Sequence, residues 1–185
     1  MPRLFTAVEI PPAVGDALGM LRGGLPGARW IDPENYHLTL RFIGDIDDAL
    51  ARDVAQVLDG VTRAPFDLRL DGLDAFGGRR PRAVIAAASA SPALVELQAE
   101  HERLFRRIGL AAEGRKFSPH VTLARLRASS ARQVADYLTT RAGFRSASFR
   151  VDRFVLFSSR ASVGGGPYVV EAAYPLGAAA VAGGA

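Results

Sequence analysis

Two nearly identical tetrapeptides limit what this chain can fold into more than any other feature. The sequence HLTL at 37–40 recurs as HVTL at 120–123, at an offset of 83 positions. Phe149 follows Phe66 at the same offset of 83 positions, within the same order of predicted elements. A repeat at a fixed offset indicates two copies of one structural unit. The sequence therefore predicts internal two-fold pseudosymmetry.

Hydrophobic patterning predicts the same order of elements in both halves of the chain. Alternating apolar residues indicate strands, and apolar residues at helical spacing indicate helices. Strands are predicted over 3–9, 37–43, 66–76, 83–89, 120–126, 149–159 and 167–175. Helices are predicted over 13–23, 47–59, 92–108 and 130–138. Each half then reads strand, helix, strand, helix, strand, which predicts an α+β fold with two lobes.

Length and composition limit the domain organisation. The 185 residues favour one domain, assigned to 1–176, followed by a loose, uncharged tail rich in Gly and Ala at 177–185. The chain has no cysteine, which excludes disulfides, a thiolate nucleophile and a cysteine-based metal site. Neither a signal peptide nor an apolar run of about 18 residues is recognisable. We expect a cytoplasmic monomer with no membrane association.

The charge of the chain is compatible with an anionic partner. The formal net charge is +4, and Lys116 is the single lysine among 23 basic residues, the others being arginine. The planar guanidinium group binds phosphate in a bidentate manner and stacks on bases. A coding sequence rich in G and C produces the same bias, so composition alone leaves both explanations open.

The repeated tetrapeptides bring one imidazole and one hydroxyl group to each lobe. Alternate side chains of a strand share a face, so His37 and Thr39 point one way, and His120 and Thr122 are arranged likewise. Two of the three histidines of the chain thus occupy equivalent positions, whereas His101 lies in a charged helical stretch and is expected at the surface. Pseudosymmetry can bring the two pairs together across a central groove.

A histidine pair of this kind suits the hydrolysis of a phosphodiester. A neutral imidazole can accept a proton from water while a protonated one donates to the leaving oxygen. The hydroxyl groups of Thr39 and Thr122 can donate hydrogen bonds to phosphoryl oxygens. This chemistry needs no metal ion or cofactor. The structural alternative is that the histidines are hydrogen-bonded sheet residues and the threonines are only good strand formers.

With these motifs and their flanks, RWIDPENYHLTLRFIG and GRKFSPHVTLARLR, the chain resembles the two-histidine (2H) phosphoesterase superfamily. Within it, the chain is most similar to the RNA 2′,3′-cyclic phosphodiesterases, also called 2′-5′ RNA ligases. The resemblance covers residues 2–176 and includes the segments LDAFGGRRPRAV and FVLFSSR. It implies two lobes whose antiparallel sheets line a central cleft, with the helices outside.

The resemblance also implies an activity and a set of site residues. The implied reaction opens the 2′,3′-cyclic phosphate at an RNA end to a 2′-phosphate without a metal ion, and ligation is its weaker reverse. His37 and His120 would be catalytic, with His120 as the base and His37 as the acid. Thr39 and Thr122 would bind phosphate. Phe42 and Arg125, five residues after each histidine, would hold the nucleobase between them.

Strand alternation conflicts with part of this assignment. Positions 42 and 125 fall on the opposite face from His37 and His120, so a bend or twist is needed to bring both into the cleft, and core packing is the alternative for Phe42. Arg41 shares the parity of His37, which makes it a possible phosphate contact. Arg115 and Lys116, in the loop before the second motif, are further candidates, and a solvated surface position suits all three equally well.

Three functions remain open at this point. The first is hydrolysis of a cyclic phosphate. The second is formation of 2′-5′ linkages, which is disfavoured because water is abundant and neither an adenylating lysine motif nor a P-loop is present. The third is binding of a nucleotide or RNA without turnover, which would not require two proton-transfer groups.

Overall fold

The computed structural model describes residues 3–159 and 166–177. Ten strands lie within these residues: β1 (Arg3–Glu9), β2 (Ala28–Trp30), β3 (His37–Asp45), β4 (Phe66–Leu68), β5 (Leu70–Phe76), β6 (Ala83–Ala88), β7 (His120–Leu126), β8 (Phe149–Val151), β9 (Arg153–Ser159) and β10 (Tyr168–Pro175). The helices are α1 (Pro12–Gly19), α2 (Asp48–Asp59), α3 (Pro92–Arg107) and α4 (Ala131–Thr140). A 3-10 turn, Pro33–Asn35, precedes β3. The α+β class predicted from the sequence is confirmed.

Eight strands form one antiparallel sheet that has two halves. The order is β10-β9-β1-β3-β7-β6-β5, and β2 pairs with β7 beside this path. The two halves meet between β3 and β7, which share one residue pair, Leu38 opposite Val121. Every other neighbouring pair along the path is joined over at least five residue pairs. The histidine motifs therefore lie at the seam between the lobes.

The lobes exchange a strand between the two sequence repeats. β5 comes from the first repeat but pairs with β6 of the second, and β9 comes from the second but pairs with β1 of the first. The sequence predicted single strands over 66–76 and 149–159, and both are divided, at Arg69 and Asp152. The piece before each division, β4 or β8, joins a separate two-stranded sheet. The division lets each chain segment cross from one sheet to the other.

Two antiparallel contacts lie on the pseudo-two-fold axis. In a two-fold arrangement a residue on the axis meets its own equivalent. Leu38 meets Val121, and Asp67 of β4 meets Arg150 of β8. In each pair the two residues are 83 positions apart, the same offset as in the sequence repeat. The repeat in the sequence thus corresponds to an approximate two-fold symmetry of the fold.

Helix starts agree with the capping residues in the sequence. The Ser91 side chain accepts a hydrogen bond from the Leu94 amide before α3, and the Ser130 side chain accepts one from the Gln133 amide before α4. The Gln133 side chain bonds back to the Ser130 amide, which completes a capping box. α3 packs against β3, and α2 packs against α3 and β10. These contacts set α3 behind the strand that carries the first motif.

The core places His101 where the sequence did not predict it. The expectation of a surface histidine was wrong, because His101 on α3 is fully buried between Phe105 and Phe154. Its Nδ1 lies 2.9 Å from the Thr6 hydroxyl oxygen, and its Nε2 has no hydrogen-bond partner among the described residues. Because the neighbouring residues in the helix are charged, the sequence did not indicate that position 101 faces the sheet.

No helix within 3–159 and 166–177 is long and apolar enough to cross a membrane. Of the predicted tail at 177–185, only Gly177 falls among the described residues.

Acid sensitivity is the testable consequence of the buried histidine. Burial, and secondarily the charge of Arg63, lowers the pKa of His101 from 6.5 to about 3. The unfolded chain therefore takes up this proton at a higher pH than the folded protein, so stability is lost as pH falls from about 6.5 toward 3. His101→Gln keeps a polar side chain beside Thr6 but cannot titrate. The loss of unfolding free energy between about pH 7 and pH 5 should be smaller in this variant than in wild type.

Urea denaturation at both pH values measures this difference. An equal loss of unfolding free energy in the variant and in wild type would contradict the assignment.

Candidate active site

The contact between β3 and β7 brings the two motifs together. Leu38 and Val121 are completely buried, so the neighbouring side chains of each strand point to the opposite face of the sheet. An antiparallel pair centred on them sets His37 across from Thr122 and Thr39 across from His120. All four side chains line one cleft of about 460 Å³. This placement agrees with the prediction that the two pairs of histidine and threonine come together across a groove.

A β-bulge in each motif strand resolves the parity conflict at positions 42 and 125. Along β1, Thr6 lies opposite Arg41 and Ala7 lies opposite Thr39, which leaves Leu40 as an extra residue in β3. One extra residue reverses the alternation, so Leu40 and Arg41 are both buried and Phe42 emerges on the cleft side. Phe42 lines the cleft and is 57% exposed.

The second motif strand has the same irregularity. Val84 lies opposite Ala124 and Ile85 lies opposite Thr122, so Leu123 is the extra residue of β7. Leu123 and Ala124 are buried in succession, and Arg125 lines the cleft. The bulges occupy equivalent positions in the two repeats. The bend that strand alternation required is therefore present in both lobes.

The three further basic candidates have different outcomes. Arg115 lines the cleft. Lys116 is not among the residues that line it. The prediction for Arg41 was wrong, because the bulge turns its side chain away from His37 and toward α3, where it is 7% exposed and paired with Glu102. Regular alternation gave the wrong face at this position.

Positive charge dominates the cleft. Arg3 and Arg82 line it together with Arg115 and Arg125, and no Asp or Glu occurs among its described lining residues. None of these arginines forms a salt bridge with another described residue. Four unpaired guanidinium groups around two histidines favour an anionic ligand.

Sequence reasoning missed several of the residues that line the cleft. Arg82 and Phe76 lie in the segment LDAFGGRRPRAV, which carried part of the resemblance and could have drawn attention to them. Arg3, Phe5 and Tyr168 come from β1 and β10. Only the order of strands in the sheet brings these three beside the first motif.

Both histidines have the same tautomer, because each is hydrogen-bonded to the backbone carbonyl oxygen two residues earlier. His37 Nδ1 lies 2.9 Å from the Asn35 carbonyl oxygen, and His120 Nδ1 lies 2.6 Å from the Ser118 carbonyl oxygen. A carbonyl oxygen can only accept, so each Nδ1 donates its proton. Each ring therefore keeps Nε2 for proton exchange with a ligand.

The surroundings of the two imidazoles differ. Three aromatic rings contact His37, with centroid distances of 5.0 Å to Phe5, 4.9 Å to Tyr168 and 5.9 Å to Phe157. His120 has one such contact, with Phe76 at 4.8 Å. The first histidine thus lies in a more apolar environment than the second.

These surroundings lower the pKa of both rings. Burial lowers the pKa of His37 to about 4, against the opposing effect of the Asn35 carbonyl, and the charges of Arg125 and His120 lower it further. Burial also lowers the pKa of His120, and the charge of Arg125 adds to this while the Ser118 carbonyl opposes it. Both rings are therefore neutral near pH 7 in the free protein. A bound anion would offset the charge of Arg125 and raise both pKa values.

No group of three or more His, Asp or Glu side chains within 3–159 and 166–177 has the arrangement to hold a metal ion.

A family model described as the 2′-5′ RNA ligase superfamily matches residues 11–162 of the chain. The RNA 2′,3′-cyclic phosphodiesterase of Aquifex aeolicus is 31% identical over 157 residues, which cover 80% of this chain and 82% of that protein. The Aeropyrum pernix protein of the same name is 35% identical over 106 residues, 56% of this chain and 60% of the relative. The match to the Geobacillus stearothermophilus protein, at 32% identity, spans 65% of this chain and 41% of the relative.

Solved structures share the fold over nearly the whole chain. The crystal structure of TT0787 from Thermus thermophilus has a TM-score of 0.80 at 25% identity, covering 95% of this chain and 98% of that one. E. coli LigT complexed with 3′-AMP has a TM-score of 0.76 at 24% identity, covering 95% and 99%. The two-lobed architecture is thus common to this chain and these proteins.

The electrostatic coupling in the cleft can be tested by titration. Arg125→Gln removes a positive charge that lowers the pKa of both His37 and His120, so both pKa values should rise in the variant. Phe42→Leu is the matched control, since it changes the other bulge-exposed side chain without changing charge. NMR titration of the two imidazoles measures the shifts. Unchanged pKa values in Arg125→Gln would contradict this placement of Arg125.

Proposed function

The chain belongs to the 2′-5′ RNA ligase superfamily, and from this premise we propose that it hydrolyses 2′,3′-cyclic phosphate ends of RNA or nucleotides to 2′-phosphomonoesters. His37 and His120 transfer the protons, and no metal ion takes part. The observation that carries the proposal is the pairing of Leu38 with Val121, which sets both histidines and both threonines in one arginine-lined cleft. The name shared by the curated relatives supports the same reaction.

The proposed reaction is a single displacement at phosphorus. One neutral imidazole accepts a proton from water as the water oxygen forms a bond to phosphorus. The bond between phosphorus and the 3′ oxygen breaks, and the other imidazole, in its protonated form, donates its proton to that oxygen. The product carries a 2′-phosphate and a 3′-hydroxyl. The two rings end with their protonation states exchanged, and solvent restores them.

Hydroxyl groups stabilise the negative charge that develops on the non-bridging oxygens in the proposed reaction. Thr39 and Thr122 lie beside the opposite histidines, within the same cleft. Arg115, which lines the same cleft, attracts the phosphate anion equally in the ground state and in the transition state, and so contributes to substrate affinity. The hydroxyl groups of the two threonines donate to the phosphoryl oxygens in our proposal. Preorganised donors of this kind lower the barrier because they need no rearrangement during the reaction.

The proposal keeps the proton roles implied by the resemblance, with His120 as the base and His37 as the acid. An acid must hold a proton, yet the pKa of His37 is lowered to about 4 in the free protein. The substrate anion must therefore raise the pKa of His37 when it binds beside Arg125. The low pKa of His37 in the free protein favours the reverse assignment, with His37 as the base and His120 as the acid. The two assignments differ in which ring is protonated when an anion is bound.

Phe42 and Arg125 are proposed to hold the terminal base. They occupy equivalent positions after the two bulges, and both line the cleft. An aromatic ring and a guanidinium plane both stack on any nucleobase, at about 1–3 kcal/mol per base. We therefore expect the enzyme to accept all four bases at the terminal position.

We also propose that residues 1–176 act as one two-lobed domain, in a cytoplasmic monomer that uses RNA ends as its substrate. Sedimentation equilibrium tests the oligomeric state, for which a monomer has a mass of 19.7 kDa.

The activity is tested with an oligoribonucleotide that ends in a 2′,3′-cyclic phosphate, in the presence of EDTA. Wild type should form a 2′-phosphate, identified by phosphorus NMR. His37→Ala and His120→Ala should each lower kcat/KM by about 10²–10⁴-fold, because each removes one proton-transfer group. His101→Gln is the matched control, since it changes the third histidine, which lies outside the cleft lining, and should retain activity.

Other outcomes identify the alternatives. Joined oligonucleotides, formed when a 5′-hydroxyl acceptor is supplied, would indicate a ligase. Binding of the oligonucleotide without turnover would indicate a binding module. Loss of turnover in EDTA, or a 3′-phosphate product, would contradict the proposed mechanism.

A further inference from the structure

We propose that Arg41 and Glu102 form a positioning pair for the cleft, which holds Phe42 and the loop carrying Arg115 in the geometry that binds substrate. This inference rests on the proposed function. The loop consists of residues 108–119, between α3 and β7. Neither member of the pair lines the cleft. The pair therefore acts on substrate binding and not on proton transfer.

Arg41 connects three separate parts of the fold. Its Nε lies 2.5 Å from Glu102 Oε2 on α3. One terminal nitrogen donates to the carbonyl oxygen of Phe42, and the other donates to the carbonyl oxygen of Ala111 in the 108–119 loop. The guanidinium group thus holds the backbone of a cleft residue and the backbone of the loop at the same time.

Glu102 extends this connection toward the cleft. Its Oε1 accepts a hydrogen bond of 3.0 Å from the Glu113 amide, and Glu113 Oε1 accepts one of 3.2 Å from the Arg115 amide. Burial opposes ionisation of Glu102, but the hydrogen bonds from Arg41 and from the Glu113 amide outweigh it and lower its pKa. Hydrogen bonds through Glu102 and Glu113 therefore link the buried arginine to the backbone of Arg115, whose side chain lines the cleft.

The second lobe shows that the bulge itself does not need this ion pair. The residue equivalent to Arg41 is Ala124, 83 positions later, which is buried in the same kind of bulge without a charge. A buried guanidinium group is costly unless it is paired. The distinctive feature of the first lobe is what the side chain of Arg41 holds, namely the Phe42 carbonyl and the loop.

A matched ion pair on the same helix provides a control. Arg63 bonds to Glu100 and lies 3.0 Å from Glu96, both on α3, and its side chain is 30% exposed. None of these three residues lines the cleft. Removing Arg63 disturbs an arginine–carboxylate contact with α3 but leaves Phe42 and the 108–119 loop in place.

The experiment compares Arg41→Met, Glu102→Gln and Arg63→Met, each assayed below its thermal unfolding temperature. Glu102→Gln keeps the size of the side chain and serves if Arg41→Met does not fold. The probes are an oligoribonucleotide ending in a 2′-phosphate, for Kd, and the cyclic phosphate oligonucleotide, for kcat and KM. Kd and KM should rise about tenfold in the Arg41 and Glu102 variants, the scale of one lost stacking or phosphate contact. Their kcat and the pH dependence of kcat should be unchanged, and Arg63→Met should behave as wild type in all of these.

Three results would overturn the proposal. The first is unchanged Kd and KM in Glu102→Gln and in any folded Arg41→Met. The second is an equal loss of affinity in Arg63→Met. The third is a fall in kcat, with KM unchanged, in the Arg41 or Glu102 variant. If wild type binds the 2′-phosphate oligonucleotide but does not turn over the cyclic one, the proposed hydrolysis fails. The comparison of Kd values then decides the positioning role on its own.

Discussion

The antiparallel contact between Leu38 and Val121 determines where every other group of the cleft lies. Among the residues that the structure describes, it is the one strand pairing that joins the two halves of the large sheet, and it lies on the pseudo-two-fold axis. Both side chains are completely buried, so the residues on either side of each must face the cleft. A shift of one residue in this register would turn one of the two histidines toward the core while the other stayed in the cleft.

Two β-bulges, one in β3 and one in β7, modify this symmetric arrangement. Each inserts one residue at the last position of the tetrapeptide, Leu40 or Leu123, and thereby moves the following side chains to the other face. The same cleft then receives an aromatic ring from one lobe and a guanidinium group from the other. Symmetry of the backbone is thus combined with asymmetry of the side chains, because equivalent positions carry two different planar groups, both of which stack on the terminal base in our proposal.

The sequence predicted those features that depend on local pattern. The repeat at 83 positions, the helices over 92–108 and 130–138, and the shared face of each histidine and threonine follow from spacing and residue type. Other features depend on partners far away in the chain. The face of Arg41 depends on a bulge defined by its pairing with β1, and the burial of His101 depends on how α3 packs against the sheet. The exchange of β5 and β9 between lobes likewise cannot be seen in either repeat alone.

The central claim is that two histidines brought together by this seam work as one neutral and one protonated group. The pH dependence of kcat/KM for the cyclic phosphate oligonucleotide tests it most directly. The account predicts a bell-shaped profile, because the base must be neutral and the acid protonated. Its maximum should lie below about pH 6.5, since the pKa values of both His37 and His120 are lowered in the free protein. A profile with a single limb, or one that does not vary with pH, would contradict the claim.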